Sequence, residues 1–213
     1  MSAKNTLKEY REKRDFKKTP EPSGERKGDG KKPIFVIQKH DARNLHYDFR
    51  LQVGKVLKSW AVPKGPSADS RVKRLAVPTE DHPLDYAGFE GVIPEGEYGA
   101  GTVLIWDRGT YRNLREDKEK KEKKSMEESL KEGKIEVELS GKKLRGGYAL
   151  IRSGWGSGKM KNWLLIKMKD DAADARRNPV ITEPESVLSG KTLKEISEEI
   201  KDENTVGNDF PGD

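Results

Sequence analysis

Residues 38–51 read QKHDARNLHYDFRL, and their alternation decides the architecture. Leu45, Tyr47, Phe49 and Leu51 take one parity, while His46, Asp48 and Arg50 take the other. Successive side chains of a strand point to opposite faces, so this is a half-buried β-strand whose apolar parity faces a core. The other face then lines up imidazole, carboxylate and guanidinium. Gln38 and His40 share that parity, across a DARN segment that can turn the chain. Lys, Thr and Glu are commoner on a solvated strand face, so His and Asp there point to a site, against the bland reading of a chance surface.

Working outward, IFVIQKH before the stretch is strand-like, and VGKVLKSWAVP after it places Gly54-Lys55 between apolar runs, which predicts a hairpin. A short strand is expected around residues 75–78 and a clear one at 102–107. The surrounding GFEGVIPEGEYGAGTV is dense in glycine among β-branched and aromatic residues, as in the tight turns and bulges of a small barrel. Gly96, Gly99 and Gly101 depart from the dinucleotide fingerprint in order and context. Residues 134–139 alternate, and GGYALIRS and NWLLIKMKD are strands separated by GWGSGKMK, read as a hairpin loop. Many short strands with few helices give an all-β chain of barrel or sandwich shape.

The flanks read differently. Residues 1–32 are basic, carry Pro20 and Pro22 and lack apolar periodicity, so composition makes them a mobile arm with a short helix around 7–13. Residues 115–133 interleave both charges among helix formers, as in a solvated helix capped by Gly133 or an exposed insertion. The resulting division is an arm at 1–32, a folded unit at 33–170, and a largely flexible polar tail at 171–213. Within that tail one amphipathic helix is expected from about Thr192, and DENTVGNDFPGD reads as disordered.

Composition narrows the function classes. The formal net charge of +6 favours a polyanionic partner such as nucleic acid, with a merely lysine-rich soluble protein as the alternative. The absence of cysteine excludes disulfides, thiolate catalysis and Cys-type zinc sites. No apolar run reaches membrane-spanning length and no signal-peptide h-region is present, so a cytoplasmic chain is expected, and a monomer is the default because nothing obvious supplies a large apolar interface.

Within the polar parity, His40, His46 and Asp48 form a two-His-one-carboxylate set suited to Mn²⁺, Fe²⁺ or Zn²⁺, leaving positions open for water and substrate. His82 could add a ligand or act as a general acid. Arg50 could clamp a phosphate through its planar fork. Lys64, Arg71, Lys73 and Arg74 crowd one loop, where a solvated surface is the plain alternative. Tyr86 is either core or a phenol that hydrogen-bonds a phosphate oxygen.

KHDARNLHYDFRL, WAVPKGPS, EDHPLDYAGFEGVIPEGEYGAGTV and WLLIK, in that order, closely resemble the phosphoesterase domain of the bacterial DNA ligase D end-joining enzymes. The resemblance runs from about residue 7 to 170. YREKRDFKKTPEPSG matches that family's leading segment, and SVLSGKTLKEI resembles the linker that follows it. With no polymerase or ligase domain in the sequence, a free-standing member is expected. The insertion at 115–133 and the tail beyond residue 170 depart in composition from the family.

The resemblance implies a small curved β-barrel with one or two short peripheral helices. It implies a manganese-dependent 3′-end-healing activity, with Zn²⁺ or Co²⁺ as other candidate ions. Such enzymes remove a 3′-terminal ribonucleoside from a primer-template, then the remaining 3′-phosphate, leaving a 3′-OH. Carried over motif by motif, His40, His46 and Asp48 are the metal ligands, and Arg50, His82 and Tyr86 contact the scissile phosphate. Lys64 and Arg74 serve the phosphomonoesterase step. Arg14, Asp15 and Glu21 fall on the leading functional segment, which reconciles with a mobile arm if the arm orders over the site with substrate. The implied partners are DNA with a 3′-ribonucleotide or 3′-phosphate end and a ligase, polymerase or Ku-like factor, in the nucleoid. Two other readings share the residues: an iron oxygenase using His46, Asp48 and His82, and a non-catalytic nucleic-acid-binding module.

Overall fold

The DARN segment does turn the chain. In the computed structural model, β1 (Ile34–Asp41) and β2 (Leu45–Val53) form an antiparallel hairpin that sets His40 opposite His46 and Gln38 opposite Asp48. β3 (Val56–Val62) follows through the Gly54-Lys55 turn, with Val53 paired to Val56. The structure describes residues 7–24, 32–117, 119, 123–154 and 161–206, with side chains to 200. Both ends of the arm, part of the charged insertion, the tip of the GWGSGKMK loop and the end of the tail lie outside the described residues.

The remaining strands are β4 (Lys73–Pro78), β5 (His82–Pro83), β6 (Gly91–Ile93), β7 (Gly101–Asn113), β8 (Lys134–Gly141), β9 (Arg145–Arg152) and β10 (Trp163–Lys167). Their order is β1-β2-β3-β4-β10-β9-β8-β7, and β7 pairs back onto β1, so eight antiparallel strands close into a barrel. Closure removes the sheet edges that would otherwise invite association. β5 is added to β3 and β6 to β7, outside the ring. The predicted all-β barrel is therefore what forms, and the expected bulge appears as a register shift between Ile37 and Gln38 against β7.

Alternation sorts the wall into two faces. Phe35, Ile37, Tyr47, Phe49, Leu51, Trp60 and Val62 point inward with Trp106, Tyr148 and Leu165 to fill the barrel. Each such side chain contributes about 1.5–3 kcal/mol through burial. On the outer face of β1–β3 a second cluster joins Val36 and Leu57 to Tyr86 and Phe89, from the 3₁₀ turn Leu84–Gly88 and its end, and to Ile93, Val103 and Ile105.

Two flanks differ from the composition reading. In the arm, helix α1 (Lys8–Glu12) lays Tyr10 into the outer apolar cluster, fully buried, and Leu7 is buried with it. A few well-placed apolar side chains and a set of long-range ion pairs fix residues 7–24, where periodicity within the arm alone gives no such signal. The tail also follows the barrel. The Trp106 indole Nε1 donates to the Glu183 carbonyl at 2.8 Å, Val187 N donates to the Ile105 carbonyl at 2.9 Å, and Ile196 is buried. It holds a one-turn helix α3 (Pro179–Thr182) and helix α4 (Leu193–Val206), which begins where expected, with Thr192 and Glu195 bonding reciprocally. Among the described residues of the charged insertion only α2 (Met126–Glu132) is helical, started by a Ser125–Glu128 capping box and ended by Gly133 in the left-handed region. Among the described residues no helix is long and apolar enough to cross a membrane.

Candidate active site

The outer face of the β1–β2 hairpin gathers the polar parity that the sequence singles out. The ligand atoms of His40, His46 and Asp48 lie within 4.8 Å of one another, the one such group of three among the described residues. Asp48 Oδ2 stands 3.6 Å from His40 Nδ1 and 3.8 Å from His46 Nε2. The other ring nitrogens are committed to backbone carbonyls: His40 Nε2 to Gly99 at 2.9 Å, and His46 Nδ1 to Asn44 at 2.8 Å. A carbonyl only accepts, so each of those nitrogens carries the hydrogen. The lone pairs of His40 Nδ1 and His46 Nε2 are thereby turned toward the carboxylate. Fixing the tautomer through the second nitrogen is how protein metal sites orient imidazole ligands, and this donor set fits a divalent transition metal.

Asp48 is ionised in this setting. Burial alone would raise its pKa, but the Arg50 guanidinium, with Nη2 3.1 Å from Oδ2, is the chief influence that holds it well below the usual carboxylate range. Arg50 is itself buried and oriented on every side. Its Nε donates to Gln38 Oε1 at 2.8 Å, and its guanidinium stacks over the Tyr86 ring at 4.9 Å. Nη1 stands 2.9 Å from His82 Nδ1. Burial and the positive charges of Arg50 and Arg14 push His82 well below its ordinary pKa, so the ring is neutral. His82 Nδ1 also meets the Glu80 carbonyl at 2.9 Å and Ser59 Oγ at 3.4 Å, while Nε2 lies 3.4 Å from Arg14 Nη2.

The arm supplies the far wall. Arg14 Nε donates to Glu21 Oε1 at 2.9 Å and Nη1 to Glu80 Oε1 at 3.1 Å. Lys13 Nζ reaches Glu80 Oε2 at 3.3 Å. Tyr86 donates its hydroxyl to Glu21 Oε1 at 2.8 Å, and burial raises its pKa well above the ordinary phenol value. Glu21 Oε2 accepts from Thr19 Oγ1 at 3.0 Å. Arginine, carboxylate, tyrosine and histidine thus interlock across 68 residues of sequence separation.

The structure brings together His40, His46, Asp48, Arg50, His82, Tyr86, Arg14 and Glu21. His82 sits between the arginines rather than in the His46–Asp48 pair that an iron triad would require. Asp15 caps its own turn through the Lys17 amide at 3.1 Å. Lys64 is exposed in the turn after β3, and Arg74 takes the inward parity of Ala76. Neither of these two side chains bonds the cluster. Sequence reasoning missed Glu80, Ser59 and Tyr10 as parts of the site's frame, and it noticed Gln38 only through parity. Glu80, two residues before His82, is the one that inspection of the local segment could have found.

Closed antiparallel barrel, candidate cation site and paired arginines define a class: a closed β-barrel whose outer face gathers a group able to hold a cation beside two arginines with buried side chains. The chain belongs, more particularly, to the DNA Ligase D 3′-phosphoesterase domain family, whose profile matches residues 38–152. It is similar to the multifunctional non-homologous end joining protein LigD of Pseudomonas aeruginosa, 50% identical over 197 residues that cover 91% of this chain and 22% of that protein. The multifunctional non-homologous end joining DNA repair protein LigD of Mycobacterium tuberculosis is 49% identical over 162 residues, covering 73% of this chain and 20% of the relative. The LigD protein of Mycolicibacterium smegmatis is 47% identical over 170 residues, covering 77% and 21%. The chain therefore spans about a fifth of the length of these relatives.

Proposed function

We propose that this chain heals DNA 3′ ends for end joining. It removes a 3′-terminal ribonucleoside as a phosphodiesterase and then the 3′-phosphate as a phosphomonoesterase, leaving a 3′-OH. The observation that carries this reading is the adjacency of the His40–His46–Asp48 set to His82 flanked by Arg50 and Arg14. His40 Nδ1, His46 Nε2 and an Asp48 oxygen would hold the ion, with Mn²⁺ the family-based choice. A bound divalent ion would supply Lewis-acid polarisation of a phosphate oxygen.

The protein's own groups perform the rest. Arg50 and Arg14 bind the phosphate and stabilise the charge that grows on its oxygens, in a buried setting where such interactions are strong. Gln38 and Glu21 keep the two guanidinium planes from turning away. His82 is neutral between the two cations. An arriving phosphate offsets their charge and makes the imidazole easier to protonate, so the ring can pass a proton to the leaving oxygen. Tyr86 fixes Glu21, and its ring forms the floor beneath Arg50. The implied partners are a primer-template with a 3′-ribonucleotide or 3′-phosphate end and the ligase, polymerase or Ku-like factors of end joining.

The test is a labelled primer-template ending in one ribonucleotide, incubated with and without Mn²⁺. Passage through a 3′-phosphate to a 3′-OH is expected only with the metal. Unchanged ends with every divalent ion, despite DNA binding, would replace this reading with a non-catalytic binding module.

A further inference from the structure

Tyr98 is the one exposed aromatic side chain among the described residues, and it stands at the rim of the candidate site. It lies in the loop between β6 and β7, directly before Gly99, whose carbonyl accepts from His40 Nε2. Lys13 Nζ lies 4.6 Å from its ring centre and 3.3 Å from its hydroxyl, and the Arg14 guanidinium lies 5.5 Å from the same ring. Arg14 in turn reaches His82. One ring therefore borders both the metal-ligand side and the arginine side of the site, while remaining 47% exposed.

The loop holding it is anchored. Glu97 N donates to the Pro94 carbonyl at 3.2 Å and Ala100 N to the Glu97 carbonyl at 3.1 Å. Gly101, at φ +140°, seats the loop's end so closely on β1 that a Cβ there would lie 2.2 Å from the Asp41 carbonyl oxygen. A flat apolar ring held on a fixed loop next to a phosphate-binding cluster is the arrangement by which proteins stack single-stranded or terminal bases, because every base offers a π-face.

We infer that Tyr98 is the stacking platform for the nucleobase at the 3′ end whose phosphate enters the site. This rests on the end-healing reading and adds to it the group that recognises the nucleoside rather than the phosphate. Stacking is tolerant of base identity, so Tyr98 contributes affinity for a terminal nucleotide without selecting among bases.

The test uses the full chain and a primer-template ending in 2-aminopurine 3′-phosphate, titrated in chelator so that no turnover intervenes. Saturable quenching of 2-aminopurine is expected with the unaltered chain and with Tyr98→Phe, which keeps the ring and loses the hydroxyl contact to Lys13. Tyr98→Leu should lose the quenching and bind about fivefold to a hundredfold more weakly. That deficit should vanish on a primer ending in an abasic 3′-phosphate. Wild-type quenching by Tyr98→Leu, an equal loss on the abasic end, or a Phe variant as weak as the Leu variant would each overturn the inference. If the unaltered chain binds 3′-phosphate and 3′-OH ends alike, the end-healing reading itself falls and the stacking role falls with it.

Discussion

Asp48 and Phe49 are neighbours in sequence and end in opposite settings. Phe49 points into the barrel among Ile37, Trp60 and Leu51, fully buried in an apolar cluster. Asp48 is nearly as buried, but its surroundings are Arg50, His40 and His46. The inner face stabilises the protein by exclusion of water and can be filled by many apolar combinations. The outer face holds charges out of water and survives only because each one has a partner, so a single truncation strands another group. One strand thus carries the barrel core on one parity and the candidate site on the other.

The sharpest way to break this comparison is to truncate the two neighbours separately. Asp48→Ala should bring manganese-dependent hydrolysis to background while near-ultraviolet circular dichroism stays native. Phe49→Ala should lower unfolding free energy by about 3–5 kcal/mol in a urea melt while the remaining folded fraction keeps its turnover. If Asp48→Ala were fully active, the metal-ligand assignment would be wrong.

A smaller effect is expected where the outer face meets the arm. Tyr86→Phe removes the hydroxyl that donates to Glu21 Oε1 at 2.8 Å and leaves Arg14 as that oxygen's remaining partner among the described residues. The loss is about 1 kcal/mol of stability, and about tenfold in kcat/KM if Glu21 positions Arg14 for phosphate. Unchanged kinetics with lowered stability would make the arm contact structural alone.

The alternation of residues 45–51 made the wall, the two faces and the polar parity that carries the candidate cation site legible in the sequence, because a period of two is a local signal. The Gly54-Lys55 turn and the Gly133 cap were legible for the same reason. The arm was not. Leu7, Tyr10 and Phe16 are too sparse to form a periodic face, and Arg14, Thr19 and Glu21 resemble solvated residues until Glu80 and Tyr86 arrive from elsewhere in the chain. Composition reads such residues as mobile, since it counts charges without seeing their partners. The tail misled in the same way, because backbone bonds to Trp106 and Ile105 leave no mark in its own sequence.

Acid should separate the faces further, since His82, Asp48 and Glu80 all belong to the outer one. His82 is held below its ordinary value of 6.5, so the unfolded chain takes up a proton that the folded chain refuses, and stability falls as pH drops below that value. Asp48 is depressed chiefly by Arg50, against burial, and Glu80 is depressed by backbone hydrogen bonding and by Arg14 and Lys13, also against burial. Both contribute stability above the ordinary carboxylate range that is lost at lower pH. His82→Asn should therefore flatten the upper part of the acid limb, between about pH 6.5 and 5, and leave the lower part steep. An unaltered slope from pH 6.5 to 5 in urea melts of the variant would show that the imidazole is already charged in the folded protein.

The smallest effect is expected at Arg74, where the two faces compete for one residue. The family resemblance gives it to the phosphomonoesterase step, yet its strand parity is that of Ala76, its cross-strand partner is the buried Leu165, and its Nε is buried without a hydrogen-bond partner among the described residues. An unbonded buried N–H adds nothing to stability and already carries its desolvation cost. Arg74→Met keeps the length of the stem and removes that N–H, so stability should change by less than about 1 kcal/mol in either direction. If position in the wall decides the role, conversion of a 3′-phosphate to a 3′-OH should proceed at the unaltered rate. A variant that accumulates 3′-phosphate ends would instead mean that Arg74 reaches the substrate from the inward parity, and the division of labour between the faces would fail at this strand.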